Sequence, residues 1–191
     1  MMRLQDSPPD SVTVSGKKYR MDFDFRHVLD MMDVLERDDL LPEAREYKAL
    51  QCVMKHPHGD IHAILEAVKA LLFPAAKGKG EKITDFEQDA DYIRAAFLQC
   101  YNINLYRARL HWLEFTALLS ALPEGSRYSE ILGIRARPMP AATKYNTEER
   151  KWLAKAKAAY ALHKSEKEIQ HTLADSLRQT AESLLALAEK G

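Results

Sequence analysis

Residues 60–73, DIHAILEAVKALLF, place Ile61, Ile64, Leu65, Val68, Leu71 and Leu72 at the three- and four-residue intervals that bring side chains to one face of an α-helix. Burying side chains of this kind is worth about 1.5–3 kcal/mol each before conformational entropy is charged. A stripe of that size has to lie against other apolar surface. The segment therefore demands a helical body able to cover it. Asp60 is placed to cap the helix, and Pro57 and Gly59 separate it from what precedes.

The same spacing recurs along the chain. Asp24 reads as an N-cap before Phe25, Val28, Leu29, Met32 and Leu35, and Pro42 as the first residue of a helix carrying Tyr47, Leu50 and Met54. Thr84 and Glu87 have capping-box spacing ahead of Phe86, Ala90, Ile93, Phe97, Cys100 and Tyr101, with Asn102 and Asn104 making a turn. Residues 104–122 then predict one continuous helix, with Leu105, Ala108, Trp112, Phe115, Thr116 and Leu119 on its broad face. A short helix over Tyr128–Ile134 leads into the extended RARPMPAAT, and from Asn146 or Thr147 the chain reads as helical to its end, with a break at Lys164–Ser165. Two β-type runs, Val12–Val14 and Tyr19–Met21, flank Ser15-Gly16-Lys17-Lys18 and predict a hairpin lying on the helices. The expected fold is all-α: an irregular multi-helix domain with a small N-terminal hairpin over residues 1–140, and a C-terminal helical extension over 141–191. PAAKGKGEK, residues 74–82, reads as a flexible linker within the first.

Composition narrows the function. Lys plus Arg equal Asp plus Glu, at 28 each, so no net field draws the chain to nucleic acid or an anionic membrane. The first ten residues lack the apolar run of a signal peptide, and no stretch reaches the roughly 18 apolar residues of a span. Cys52 and Cys100 suggest no disulfide framework. A cytoplasmic protein is expected.

Four constellations could carry chemistry. Cys52, His56, His58 and His62 supply four candidate zinc ligands, but a structural site closes from a second ligand pair, which the sequence lacks; a solvated helix junction is expected and no metal. Arg107, His111 and Glu114 form the polar stripe of the 104–122 helix and are read as its wet edge, not as a catalytic base with an orienting carboxylate. Lys77, Lys79 and Lys82 read as solubilising, and Arg135 as a cation at a helix C-terminus. The last is Ile169, Leu173, Leu177, Leu184 and Leu187, which share a narrow helical arc with Thr180. Either this stripe folds back on the domain or it binds a partner helix or groove. Trp152, Ala156, Ala159 and Tyr160 can be read the same way. No catalytic residue and no cofactor is expected.

One further pattern is specific. Asp24-Phe25-Arg26, the helix start at Asp85-Phe86 with Asp89 and Asp91, and Ile93–Phe97 form its first part. Tyr101 before an asparagine turn, His111-Trp112 with Phe115, the leucines of 118–122 and Ile134-Arg135 complete it. Over residues 19–140 the chain resembles the bacteriophage gene-product-fifteen family, from the tail gene cluster of siphophages of Gram-positive bacteria. The resemblance implies a tail assembly chaperone in the host cytoplasm. Such a protein binds the tape-measure protein and helps recruit tail-tube subunits, without catalysis and without remaining in the virion. A structural tail adaptor is the competing reading, a metal protein a more distant one, and self-association is compatible with both stripes.

Overall fold

The computed structural model describes residues 5–74 and 82–163. It opens with a hairpin, β1 (Ser11–Val14) and β2 (Lys17–Arg20), paired antiparallel with Val14 opposite Lys17 and Ser11 opposite Arg20. The turn is tighter than predicted. Ser15 (φ 49°) and Gly16 (φ 76°) both adopt left-handed backbone, so the loop closes with two residues and Lys17 and Lys18 join the second strand. The expected helical body follows.

α1 (Phe25–Glu36) is capped by Asp24, whose carboxylate accepts the Arg26 N–H at 3.1 Å. α2 (Pro42–Val53) begins on its proline, and α3 (Ile61–Leu72) is capped by Asp60 through the Ala63 N–H at 3.0 Å. Val28 and Met31 from α1, Ala49 and Leu50 from α2, and Ile64, Leu65 and Val68 from α3 are wholly buried against one another. Tyr47 is not among them: it faces solvent, and Ala49 and Val53 flank Leu50 instead. Met21, Met31 and Met54 are buried and belong to this core. The N–H of Asp22 donates to the Val53 carbonyl at 2.8 Å, tying the hairpin's exit to the end of α2.

α4 (Ala90–Tyr101) buries Ile93, Ala96 and Phe97 and ends on Asn102, the left-handed residue the sequence led us to expect (φ 54°, ψ 30°). Its approach is organised differently from the predicted capping box. Asp85 accepts the N–H groups of Glu87 and Gln88 at 3.1 and 3.0 Å, and its own N–H donates to Asp89 at 3.0 Å. Thr84 instead hydrogen-bonds the Tyr128 hydroxyl at 3.0 Å.

The continuous helix predicted over 104–122 does not form; α5 spans only Trp112–Ser120. Asn104 closes a turn, accepting the Tyr106 N–H on its side chain and those of Arg107 and Ala108 on its carbonyl. Arg26 takes the Leu105 and Ala108 carbonyls, both at 2.7 Å. The chain then runs extended, and Asp24 and His111 form an antiparallel bridge, with Phe25 N–H on the Leu110 carbonyl (3.0 Å) and Trp112 N–H on that of Phe23 (2.8 Å). Tertiary pairing has displaced helix propensity.

α6 (Arg127–Ala136) is capped by Ser126, and after the proline segment α7 (Thr147–Ala159) packs on it through the wholly buried Leu153. α7 stops ahead of the break expected at 164–165, and Trp152 lies outside the packing, 57% exposed. Among the described residues no helix is long and apolar enough to cross a membrane.

Candidate functional site

Between α1 and the start of α4 the surface opens into a groove of about 700 Å³. Its floor is apolar: Phe25 and Leu29 from α1, Phe86 and Ile93 from α4 and its approach, Leu105 from the turn, and Phe115 from α5. Phe115 holds it together, stacked on Phe25 at 4.7 Å between centroids and on Phe97 at 5.3 Å. Phe25, Leu29 and Asp33 step four residues at a time, so the groove follows α1 for about 12 Å, two helical turns.

The rim is acidic. Asp30 and Asp33 stand on α1, and Glu87 and Asp91 face them from the approach and first turn of α4. The cations present are committed elsewhere. Arg26 is spent on Asp24 and on two backbone carbonyls, while Arg94 pairs with Asp91 at 3.0 Å and lies over the Tyr106 ring. Burial pushes the Asp33 carboxyl above its ordinary value, and the neighbouring charges of Asp30, Glu36, Glu87 and Asp85 push the same way. Four carboxylates thus border the groove from its two sides, and of these Asp91 is paired with Arg94.

A smaller cleft, about 210 Å³, gathers Asp22, Asp24, Arg109 and His111 beside the Asp24–His111 bridge. Here His111 is the N-cap of α5. Its Nδ1 accepts the Leu113 N–H at 3.1 Å, which fixes the other tautomer position, so Nε2–H donates to the Pro9 carbonyl at 3.0 Å. Burial raises the Asp22 carboxyl, yet the Asp24 N–H, Arg109 (2.8 Å) and the nearby His27 together hold it below its ordinary value. Arg109, the exposed Asp22 and the buried Asp24 form a brace between the hairpin exit and the approach to α5.

The other sequence candidates fall as follows. His111 and Glu114 lie in the cap and first turn of α5 while Arg107 lies in the preceding turn, so the stripe read from spacing is not one helical edge. His62 bonds Glu46 at 2.9 Å, His58 bonds the His56 carbonyl at 2.8 Å, and Cys52 bonds the Lys48 carbonyl; the four are not brought together. Among the described residues no group of three potential ligands could hold a metal ion. Cys52 and Cys100 are free thiols. Lys82 pairs with Asp85 at 3.0 Å, while Lys77, Lys79 and most of the 74–82 linker lie outside the described residues. So do Ile169, Leu173, Leu177, Leu184 and Leu187.

Arg135 departs furthest from its reading. Its guanidinium is buried and meets Asp89 with two parallel bonds of 2.7 and 2.8 Å, and also donates to the carbonyls of Tyr160 (2.6 Å) and Ile83 (2.9 Å). One side chain thereby joins α4, its approach, α6 and the end of α7. The groove itself was missed by sequence reasoning, because its floor is drawn from residues 25 to 115.

A family model described as Bacteriophage Gp15 protein matches residues 4–162 of the chain. No curated protein and no solved structure matches it.

Proposed function

The chain belongs to the bacteriophage Gp15 family, and from that premise we propose that it is a non-catalytic tail assembly chaperone acting in the host cytoplasm. Its partner is the tape-measure protein, a long helical chain that needs its apolar faces covered until the tail tube is built around it; tail-tube subunits are a second partner. The observation that carries this reading is the groove between α1 and α4: two helical turns long, with half-buried Leu29 and Phe86 on its floor above the more deeply set Phe25 and Phe115, and carboxylates along its rim. Amphipathic helices are bound by surfaces of this kind, with the apolar side of the guest laid into the groove. Small-molecule sites instead converge several polar groups on one point. His111, which lines the smaller cleft, has both ring nitrogens engaged with backbone groups, which supports a role in architecture.

Co-expression tests the proposal directly. Tape-measure protein from the same phage should move from the insoluble to the soluble fraction when this chain is present and should co-purify with it. Purified virions should lack the chain. Its recovery from virions in stoichiometric amount would make it a structural adaptor, and tape-measure protein that stays insoluble and unbound would overturn the chaperone reading.

A further inference from the structure

We propose that the α1–α4 groove docks a cationic amphipathic helix of the partner, one whose apolar stripe is bordered by lysine or arginine. This names the chemistry of the contact and rests on the chaperone reading above.

Among the described residues Asp30, Asp33 and Glu87 have no cation paired with them, although all three border the groove. An apolar surface ringed by uncompensated carboxylates is poorly suited to an acidic or neutral guest. Covering it would desolvate those charges without replacing water's interactions. A guest bearing cations beside its apolar stripe removes that penalty. Its side chains reach Asp30 and Asp33, three residues apart on α1 and so on one side of that helix. Two turns of groove fit three anchors at i, i+3 or i+4, and i+7, which would rest on the half-buried Leu29 and Phe86, with Phe25 and Phe115 packed beneath them. Arg26 and Arg94 do not oppose such a guest, being held by Asp24, Asp91 and backbone carbonyls.

The test uses the full chain and two labelled helical peptides with the same leucine anchors, one flanked by lysines and the other by glutamates, read by fluorescence anisotropy. The lysine peptide should bind at least about ten-fold tighter, the scale of a few rim charge pairs, and the margin should shrink in high salt. Asp30→Asn/Asp33→Asn should erase most of the margin; the equally conservative Glu43→Gln/Glu124→Gln, away from the groove, should leave it intact. Equal binding of the two peptides, binding of neither, or a margin untouched by Asp30→Asn/Asp33→Asn would overturn the inference. Removal of residues 164–191 that tightened both peptides alike would assign the groove to the chain's own end. A dimer abolished by Asp30→Asn/Asp33→Asn would assign it to a second copy. Either overturns the inference. Tape-measure protein still retained by Asp30→Asn/Asp33→Asn overturns the groove's role alone, whereas loss of retention by the unmodified chain overturns the chaperone reading.

Discussion

At the scale of single residues, the molecule concentrates its polar risk in Arg135 and Asp89. Both are withdrawn from water, with side-chain exposures of 7% and 0%, so each depends on the other for solvation. Removing one partner of such a pair leaves a buried charge unanswered, which costs about 3–5 kcal/mol. Arg135→Met should therefore lower stability by that amount in urea denaturation. Arg135→Lys should recover only part of it, because an ammonium cannot make two parallel bonds to Asp89 while reaching Tyr160 and Ile83. His62 supplies a gentler test at the surface. Its bond to Glu46 favours the imidazolium, so His62 should titrate above the ordinary value of 6.5 in an NMR experiment, and Glu46→Gln should return it there. A raised folded value means that the pair's small stabilisation is present below the unfolded pKa and is lost as pH rises through the folded one. Neither contact was legible in the sequence. Asp89 and Arg135 lie 46 positions apart, and Arg135 read as a helix-end cation because only its local neighbours were visible.

Elements are legible to the extent that their ends are settled locally. Asp24, Asp60 and Asn102 mark helix termini through bonds within a few residues and Pro42 through its fixed φ, and all four stand where their chemistry places them. The 104–122 segment fails for the opposite reason. Its apolar periodicity is genuine, but Arg26 and the Asp24 bridge, some 80 residues upstream, offer its backbone better partners than a helix does. The groove was illegible on the same ground: a concavity belongs to the docking of elements, not to any one of them. Gly59 shows how elements constrain one another. It sits at φ +92° before α3, and a Cβ there would come within 2.6 Å of the Tyr19 hydroxyl from β2. Gly59→Ala should thus cost about 1–3 kcal/mol, read as a shift in denaturation midpoint. Adding Tyr19→Phe should return the part due to the clash and none of the part due to φ. Full recovery in the double variant would show that the backbone tolerates alanine at this turn.

At the scale of the whole molecule, the hairpin with α1–α3 and the later helices meet through α5. Trp112 donates its indole N–H to the Leu72 carbonyl at the end of α3, and the Tyr101 hydroxyl of α4 donates to the Leu118 carbonyl of α5. Between these bonds lies Phe115, 2% exposed, with the rings of Phe25, Phe97, Trp112 and Phe86 all within 6.2 Å between centroids. If this cluster is what couples the two sets of helices, truncating it should loosen both together. Phe115→Ala is expected to cost about 3–5 kcal/mol, as large aromatic truncations in packed cores do. The sharper readout is cooperativity. In a Trp152→Phe background, which leaves buried Trp112 as the single indole, fluorescence and far-ultraviolet dichroism should give coincident transitions before and after the truncation. Amide exchange in α3 and α6 should accelerate by the same factor. Slow exchange persisting in α6 while α3 opens would mean that Asp89, Arg135 and Leu153 hold a unit of their own, and that Phe115 joins two stable bodies. Because Phe25, Phe86 and Phe115 also floor the groove, a guest bound there should raise the midpoint of the unmodified chain in proportion to its occupancy. That increment should vanish in Phe115→Ala, since the surface that receives the guest is the surface that joins the fold.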